Sequence, residues 1–448
     1  MKRLAAPVVI ALCAQAFAWE GQTTQAGLSE QAALSSRLNK RLLTLGFSGG
    51  LFEPLTMPPA DAPALIADLK LLSPTHGAVP DARGRQTALA WISAGAALAD
   101  IPAKNGANHF YDPSTKQGWS RPDLGLRGTM LGLDLPAKGV AAPDWITDKA
   151  NPFNLAGFLD QYAKSVTAAT PGERSRAMAG ALVAAGAMMH VLGDLGNPAR
   201  VRGDSASMFQ QLGGGPEDLG SRFEQIAALS YGRLGIPAPS RVITRQHLRD
   251  YFSSADGQGL ADEISKSYFS PNTLPEPTHI GDDVHPHLVR PQPALPTRLN
   301  LMAASRDDGT TLRAPDGTCL ARYRVEHGTL SFSIDDDCVL EQLATILPET
   351  VAYETGLLDF LLRGELTLTA GSQIVVASKG LGPGTVDLVV EDERGVRTPA
   401  GTAQYTGTGD ELARFNLPQA GTRVLAVFRG ADSAGEPIVA IGALPLQH

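Results

Sequence analysis

"PGERSRAMAGALVAAGAMMHVLGDLGNPAR", residues 171–200, is the stretch on which the reading of this chain turns. It predicts a long, central helix whose small residues let neighbouring helices approach closely around a shared site. His190 and Asp194 stand four residues apart, one helical turn, so both side chains leave the same face. The run breaks at Asn197-Pro198 and becomes polar at Arg200, Arg202 and Asp204. A His and an Asp so placed read either as half of a metal site or as a buried hydrogen-bonded pair. Spacing alone does not choose between them.

Working outward, residues 19 to about 265 read as helices joined by long loops. "SEQAALSSRLNKRLLTLG" offers Ser29 as a cap and Gly46 as a stop, and "RQTALAWISAGAALAD" ends on Asp100. "NLAGFLDQYAKSV", "GSRFEQIAALSYGRLG" and "TRQHLRDYFSSA" complete the helical set. The other half of a metal site is found in "ADIPAKNGANHFYDP", residues 99–113, with Asp100 and His109 on a loop leaving a helix. Two imidazoles and two carboxylates suit Zn²⁺. Tyr111 and Asp112 read as supports around His109. His76 reads as a loop residue and His247 as a helix-face residue without chemistry.

Residues 270–300 are Pro-rich and read as an irregular excursion. His279, Asp282, Asp283, His285 and His287 within it are spare ligands or solvated side chains. "TTLRAPDGTCLARYRVEHGTLSFSID" predicts two or three short strands, and the helix after it contains Pro348 as a kink or early break. Asp335-Asp336-Asp337 lacks the alternation and glycine of a calcium loop. After Gly364, period-two alternation punctuated by Gly and Asp predicts six or seven strands of a β-sandwich. The expected fold class is therefore multidomain: an all-α helical bundle over 19–364, with a small β insertion at about 301–339, followed by a β-sandwich over 365–448.

The chain has 448 residues and a formal net charge of −8, which argues against nucleic-acid binding by bulk charge. "MKRLAAPVVIALCAQAFA", residues 1–18, has the basic start, apolar run and small-x-small end of a secretory signal peptide, so Trp19 would begin the mature chain. No other stretch approaches the length of continuous apolar residues that spans a bilayer. An exported, soluble protein follows, secreted or held in the periplasm or cell envelope. Cleavage leaves Cys319 and Cys338, which in an oxidising compartment would form a disulfide.

"NHFYDP", "MHVLGDLGNPA" and a Trp directly after a cleavage site together resemble the zinc-dependent bacterial phospholipases C, whose superfamily includes the secreted single-strand nucleases. The resemblance covers about 19–265 and returns at "LPETVAYETGLLDFLLRG". It implies a metal cluster at the base of a cleft, with three zinc ions acting on a phosphate ester. Carried across, Asp100, His109, His190 and Asp194 match one complete zinc site. Trp19 matches a terminal ligand of a second, with Asp194 bridging, and Glu224 matches the carboxylate of a third. Three expected imidazoles are replaced, by Gln25, Arg200 and Gly220.

The resemblance thus implies a metal-dependent phosphoric-ester hydrolase acting on a phospholipid or other phosphodiester. Asp100 and Arg200 are its catalytic candidates, Arg200 sharing the phosphate charge; Arg200 as a mere surface partner of Glu224 or Asp204 is the plainer alternative. By analogy of layout, the C-terminal module would touch the membrane. Two other readings stay open: a catalytically degenerate, zinc-stabilised scaffold of the envelope, and a nuclease of the same superfamily.

Overall fold

The computed structural model describes residues 23–72, 79–120, 136–205, 207, 221–279, 306–307 and 311–446. The signal segment, Trp19, His76, Gly220, Asp282, Asp283, His285 and His287 lie outside the described residues.

The helical region is built on α1 (Thr24–Ser35), α2 (Leu38–Leu45), α3 (Pro63–Leu72), α4 (Ala88–Leu98), α5 (Ala142–Trp145), α6 (Leu155–Thr167), α7 (Pro171–Gly193), α8 (Pro198–Val201), α9 (Arg222–Ser230), α10 (Leu260–Ser267) and α11 (Asp336–Leu361). α7 starts on a capping box, in which Thr170 Oγ1 accepts from Glu173 N and Glu173 Oε2 accepts from Thr170 N. From Ala177 onward it is buried almost throughout, enclosed by α1, α4, α6 and α11. A helix covered on all sides needs no polar stripe, which is why its sequence shows none. Residues 171–196 are long and apolar enough to cross a membrane by composition, but 94% of the most apolar window is buried inside the protein.

Two glycines set the closest contact in this core. A Cβ on Gly95 of α4 would sit 2.0 Å from the Val183 carbonyl oxygen, and one on Gly186 of α7 would sit 2.0 Å from that of Ile92. The two helix backbones therefore touch directly.

The expected all-α bundle is overturned. The described chain is a mixed α/β protein, 41% helical and 23% strand, with four sheets. β1 (Pro54–Thr56) and β2 (Arg85–Thr87) pair antiparallel between α2 and α4. β3 (Thr278–His279), β4 (Arg306–Asp307), β5 (Thr311–Arg313), β6 (Cys319–Glu326) and β7 (Thr329–Ser333) form a five-stranded sheet in the order β3-β7-β6-β5-β4. Its outer strands are two residues long and recruited by pairing with a neighbour, so no local alternation announces them.

Local expectations shift as well. Ser29 is not a cap: α1 begins five residues earlier, and the buried Ser29 Oγ donates to the Ala26 carbonyl. The chain breaks at residues 36–37, and Gly46 closes α2 in the left-handed conformation at φ 94°. "TRQHLRDYFSSA" forms only a short 3₁₀ turn, Leu248–Tyr251, ahead of α10. His247 lies on that turn with Nδ1 3.1 Å from Glu436 Oε1. Pro348 sits inside the continuous 26-residue α11, whose burial against α1 and α7 outweighs the lost backbone hydrogen bond.

Cys319 of β6 and Cys338 of α11 are disulfide-bonded, which is consistent with an oxidising compartment. The bridge closes a loop with a sequence separation of 19 residues. Replacing both cysteines with serine is expected to cost about 3 kcal/mol from chain entropy. Urea denaturation of the double variant beside the oxidised protein reads that difference directly.

β8 (Thr367–Ala370), β9 (Gln373–Ala377), β10 (Leu381–Glu391), β11 (Arg397–Tyr405), β12 (Glu411–Asn416), β13 (Arg423–Asp432) and β14 (Pro437–Pro445) form two sheets, β11-β10-β13-β14 and β12-β9-β8. Ile374, Val376 and Phe415 of one sheet meet Val386, Val424 and Phe428 of the other in a shared core. The other face of the four-stranded sheet is also buried: Val389, Leu425, Val427, Val439 and Ile441 belong to the main helical core.

A charged knot reinforces this seam. Glu391 takes Arg397 Nε on one carboxylate oxygen and Arg423 Nε on the other, each at 2.7 Å. Arg397 also donates to the carbonyls of Val166 (2.6 Å) and Leu45 (3.3 Å) in the helical region.

Candidate metal centre

The Gly95–Gly186 contact determines what lies one turn further along each helix. Beyond α4 the chain turns at Asp100, runs through a 3₁₀ segment, Ala103–Asn108, and presents His109 at its end. His190 lies in the last turn of α7 and Asp194 caps it. Asp100, His109, His190 and Asp194 converge so that one ligand atom from each lies within 4.8 Å of all the others. The two halves of the cluster, about eighty residues apart in sequence, are thus brought together.

His109 Nδ1 is 2.8 Å from Asp194 Oδ2 and 3.2 Å from Asp100 Oδ1. His190 Nε2 is 3.2 Å from Asp100 Oδ2 and from Asp194 Oδ2, yet makes a hydrogen bond to neither. The 2.8 Å contact is a hydrogen bond between His109 and Asp194; donor atoms around a tetrahedral ion with bonds of roughly 2.0–2.1 Å stand roughly 3.3 Å apart, which the three separations of 3.2 Å match. His190 Nδ1 faces the Ala96 carbonyl oxygen at 2.7 Å, which fixes the ring and turns Nε2 to the cluster. The two rings meet edge to face at 5.1 Å. His109, His190 and Asp194 are buried, and Asp100 alone reaches solvent, its side chain 16% exposed. This buried group could hold a metal ion.

Electrostatics agree with the geometry. Burial opposes the charge of His190, but Asp194 and Asp100 outweigh it and raise its pKa to about 10. Burial would push Asp194 up, yet Arg200 and His190 hold it well below the usual carboxylate range. Asp100 is likewise held low, against burial, by His190 and His109. Both carboxylates are kept ionised, as metal ligation requires, while the same two charges hold a proton on His190 that an incoming ion would have to displace.

Around the four lie the residues read as substitutes for lost ligands. Gln25 of α1 donates from Nε2 to Asp194 Oδ1 at 2.8 Å, occupying the second oxygen of that carboxylate. Arg200 of α8 is fully buried, with Nη1 3.4 Å from Asp194 Oδ2 and Nε 3.3 Å from Glu224 Oε1. It is therefore no surface residue. Asn197 Nδ2 donates to Glu224 Oε1 at 2.8 Å, and the Arg200 guanidinium rests over the Phe110 ring at 4.8 Å. Neither Nη atom of Arg200 has a hydrogen-bond partner.

Tyr111 N donates to the Arg200 carbonyl at 3.1 Å, and Asp112 spends Oδ1 on Ser114 rather than on His109. Asp335 caps α11 and Asp336 pairs with Arg222, so neither serves a metal. One residue escaped the sequence reading. Glu354 of α11 is fully buried near Gly193, with no hydrogen bond to either carboxylate oxygen, and burial pushes its pKa well above the usual range. It sits in an apolar helix far along the chain, and no local pattern marks it.

No known protein-family model matches the chain, and no curated protein is significantly similar to it.

Proposed function

We propose that the cluster of Asp100, His109, His190 and Asp194 holds one zinc ion and that the protein is an exported hydrolase of phosphoric esters. A zinc ion bound there would supply Lewis acidity toward a phosphoryl oxygen. The observation that carries the reading is the buried guanidinium of Arg200. It lies beside the metal-facing oxygen of Asp194, and both its Nη atoms lack acceptors. A buried cation with unfilled donors is suited to a tetrahedral oxyanion, which a planar guanidinium grips through two parallel bonds. In this reading Arg200 neutralises the charge that further metal ions would otherwise carry. Gln25 and Glu224 hold Asp194 and Arg200 in register. Asp100, the exposed edge of the cluster, is where substrate and water would enter.

The test pairs metal analysis with turnover of bis-p-nitrophenyl phosphate. One zinc per chain and measurable hydrolysis are expected. Arg200→Lys keeps the charge beside Glu224 but loses the fork, and it is expected to lower kcat about 100-fold while zinc content stays unchanged.

A second reading has its own support. Four protein donors, three of them fully buried, can close a tetrahedral shell as structural zinc sites do. One zinc per chain with no hydrolysis would assign the protein to this role, a zinc-stabilised scaffold.

A further inference from the structure

On the far side of the His109 loop lies a cavity of about 720 Å³, lined in part by Lys104, Lys116, Lys138, Asn105, Asn108 and Trp145. Its volume falls within the roughly 300–1,000 Å³ of small-ligand sites. Among the described residues, no Asp or Glu lines it. Among the described residues, none of the three lysines has an ion-pair partner. In a chain of net charge −8, three cations around one concavity, with no carboxylate among its described lining residues, concentrate positive potential there.

Two further observations point the same way. Lys116 is held in the left-handed region at φ 58°, where a Lys is strained and an Asn or Gly would rest more easily. The turn imposes that conformation: Lys116 N donates to the Asp112 carbonyl at 2.7 Å, and Asp112 N donates to that of Gln117 at 2.8 Å. Asn108, next to His109 in the chain, accepts from Val140 N through Oδ1 at 2.8 Å, which leaves its amide NH₂ to donate elsewhere. Hydrogen-bond donors and cations thus share one concavity.

We propose that this cavity binds a phosphate-bearing polyanion, a ligand with two or more negative charges, held by Lys104, Lys116 and Lys138 and oriented by Asn108. This inference does not rest on the metal reading, since no metal-cluster residue lines the cavity. It adjoins a smaller cavity of about 210 Å³ that reaches Arg200, the two sharing Gln117 and Gly118 as a common wall.

Isothermal titration of the full chain with inorganic pyrophosphate tests it, beside a triple variant Lys104→Gln, Lys116→Asn, Lys138→Gln. All three side chains are exposed, and Asn tolerates the left-handed position, so the variant should fold; its circular dichroism spectrum checks this. The wild type is expected to bind, more weakly as salt rises, and the variant to bind at least about tenfold more weakly. Absence of binding by the wild type at millimolar pyrophosphate overturns the proposal. Equal affinity in the variant also overturns it, by placing the anion elsewhere, for example on the metal. A flotation arm uses vesicles of phosphatidylcholine and phosphatidic acid in equal parts. Retention that pyrophosphate competes away and the variant loses identifies a lipid headgroup. Pyrophosphate binding without retention identifies a soluble phosphate ester.

Discussion

His190→Ala is expected to bring bound zinc from one per chain to near zero and to cost about 3–5 kcal/mol of stability. The imidazole supplies one of four converging donors, and its Nδ1 engages the Ala96 carbonyl. Its removal leaves Asp100 and Asp194 facing each other with less positive charge between them, and their mutual repulsion in a buried setting is what destabilises the fold. Metal binding is linked to folding, so loss of the ion adds to the deficit. Metal analysis of the purified variant and its urea transition give the two numbers. A variant that keeps its zinc would place the ion elsewhere in the chain.

Glu391→Gln is the second large effect, expected at about 3 kcal/mol. Arg397 is almost fully buried, and Glu391 is its only anionic partner among the described ion pairs. A neutral amide leaves that cation, and part of Arg423, without a counter-charge at the seam between sheet and helices. The pH dependence follows from the same knot. Burial alone would raise the Glu391 carboxyl, but Arg423 and Arg397 hold it below its ordinary value. Its stabilisation is therefore present above the unfolded carboxylate range and is lost as pH falls through the depressed folded value. The wild type should lose stability in acid more steeply than Glu391→Gln, as urea midpoints measured between neutral pH and about pH 3 would show. Equal acid limbs would remove Glu391 from this role.

His190 and Asp194 were legible as a pair because they sit one turn apart on a helix, whereas joining them to Asp100 and His109 on a loop rested on the resemblance rather than on spacing. Helical periodicity is a local signal. Gln25 was noticed as a departure from a pattern, but its hydrogen bond to Asp194 joins residues 169 positions apart and has no local signature. Glu354 was missed for the same reason.

The fold class failed where strand pairing is non-local. Thr278–His279 lies in a Pro-rich stretch and becomes strand only because Thr329 and Leu330 offer an edge. β13 teaches the converse. "RVLAVF", residues 423–428, falls in the stretch expected to alternate in period two, yet Val424 through Phe428 are all buried, because the main helical core covers the second face of this strand. The four-stranded C-terminal sheet thus shares its second face with the helical core.

The contact between Gly95 and Gly186 has one more consequence. No layer of side chains separates these two helices, so nothing there can compress, rotate or relax when an ion enters one turn away. His190 rides on one of these helices and Asp100 follows two residues after the end of the other, so the spacing between them starts from that backbone contact. A fixed aperture would sort ions by radius, favouring one with bonds of roughly 2.0–2.1 Å, as the proposed zinc has, over calcium at roughly 2.3–2.6 Å with more ligands. Two absent methyl groups act as the gauge.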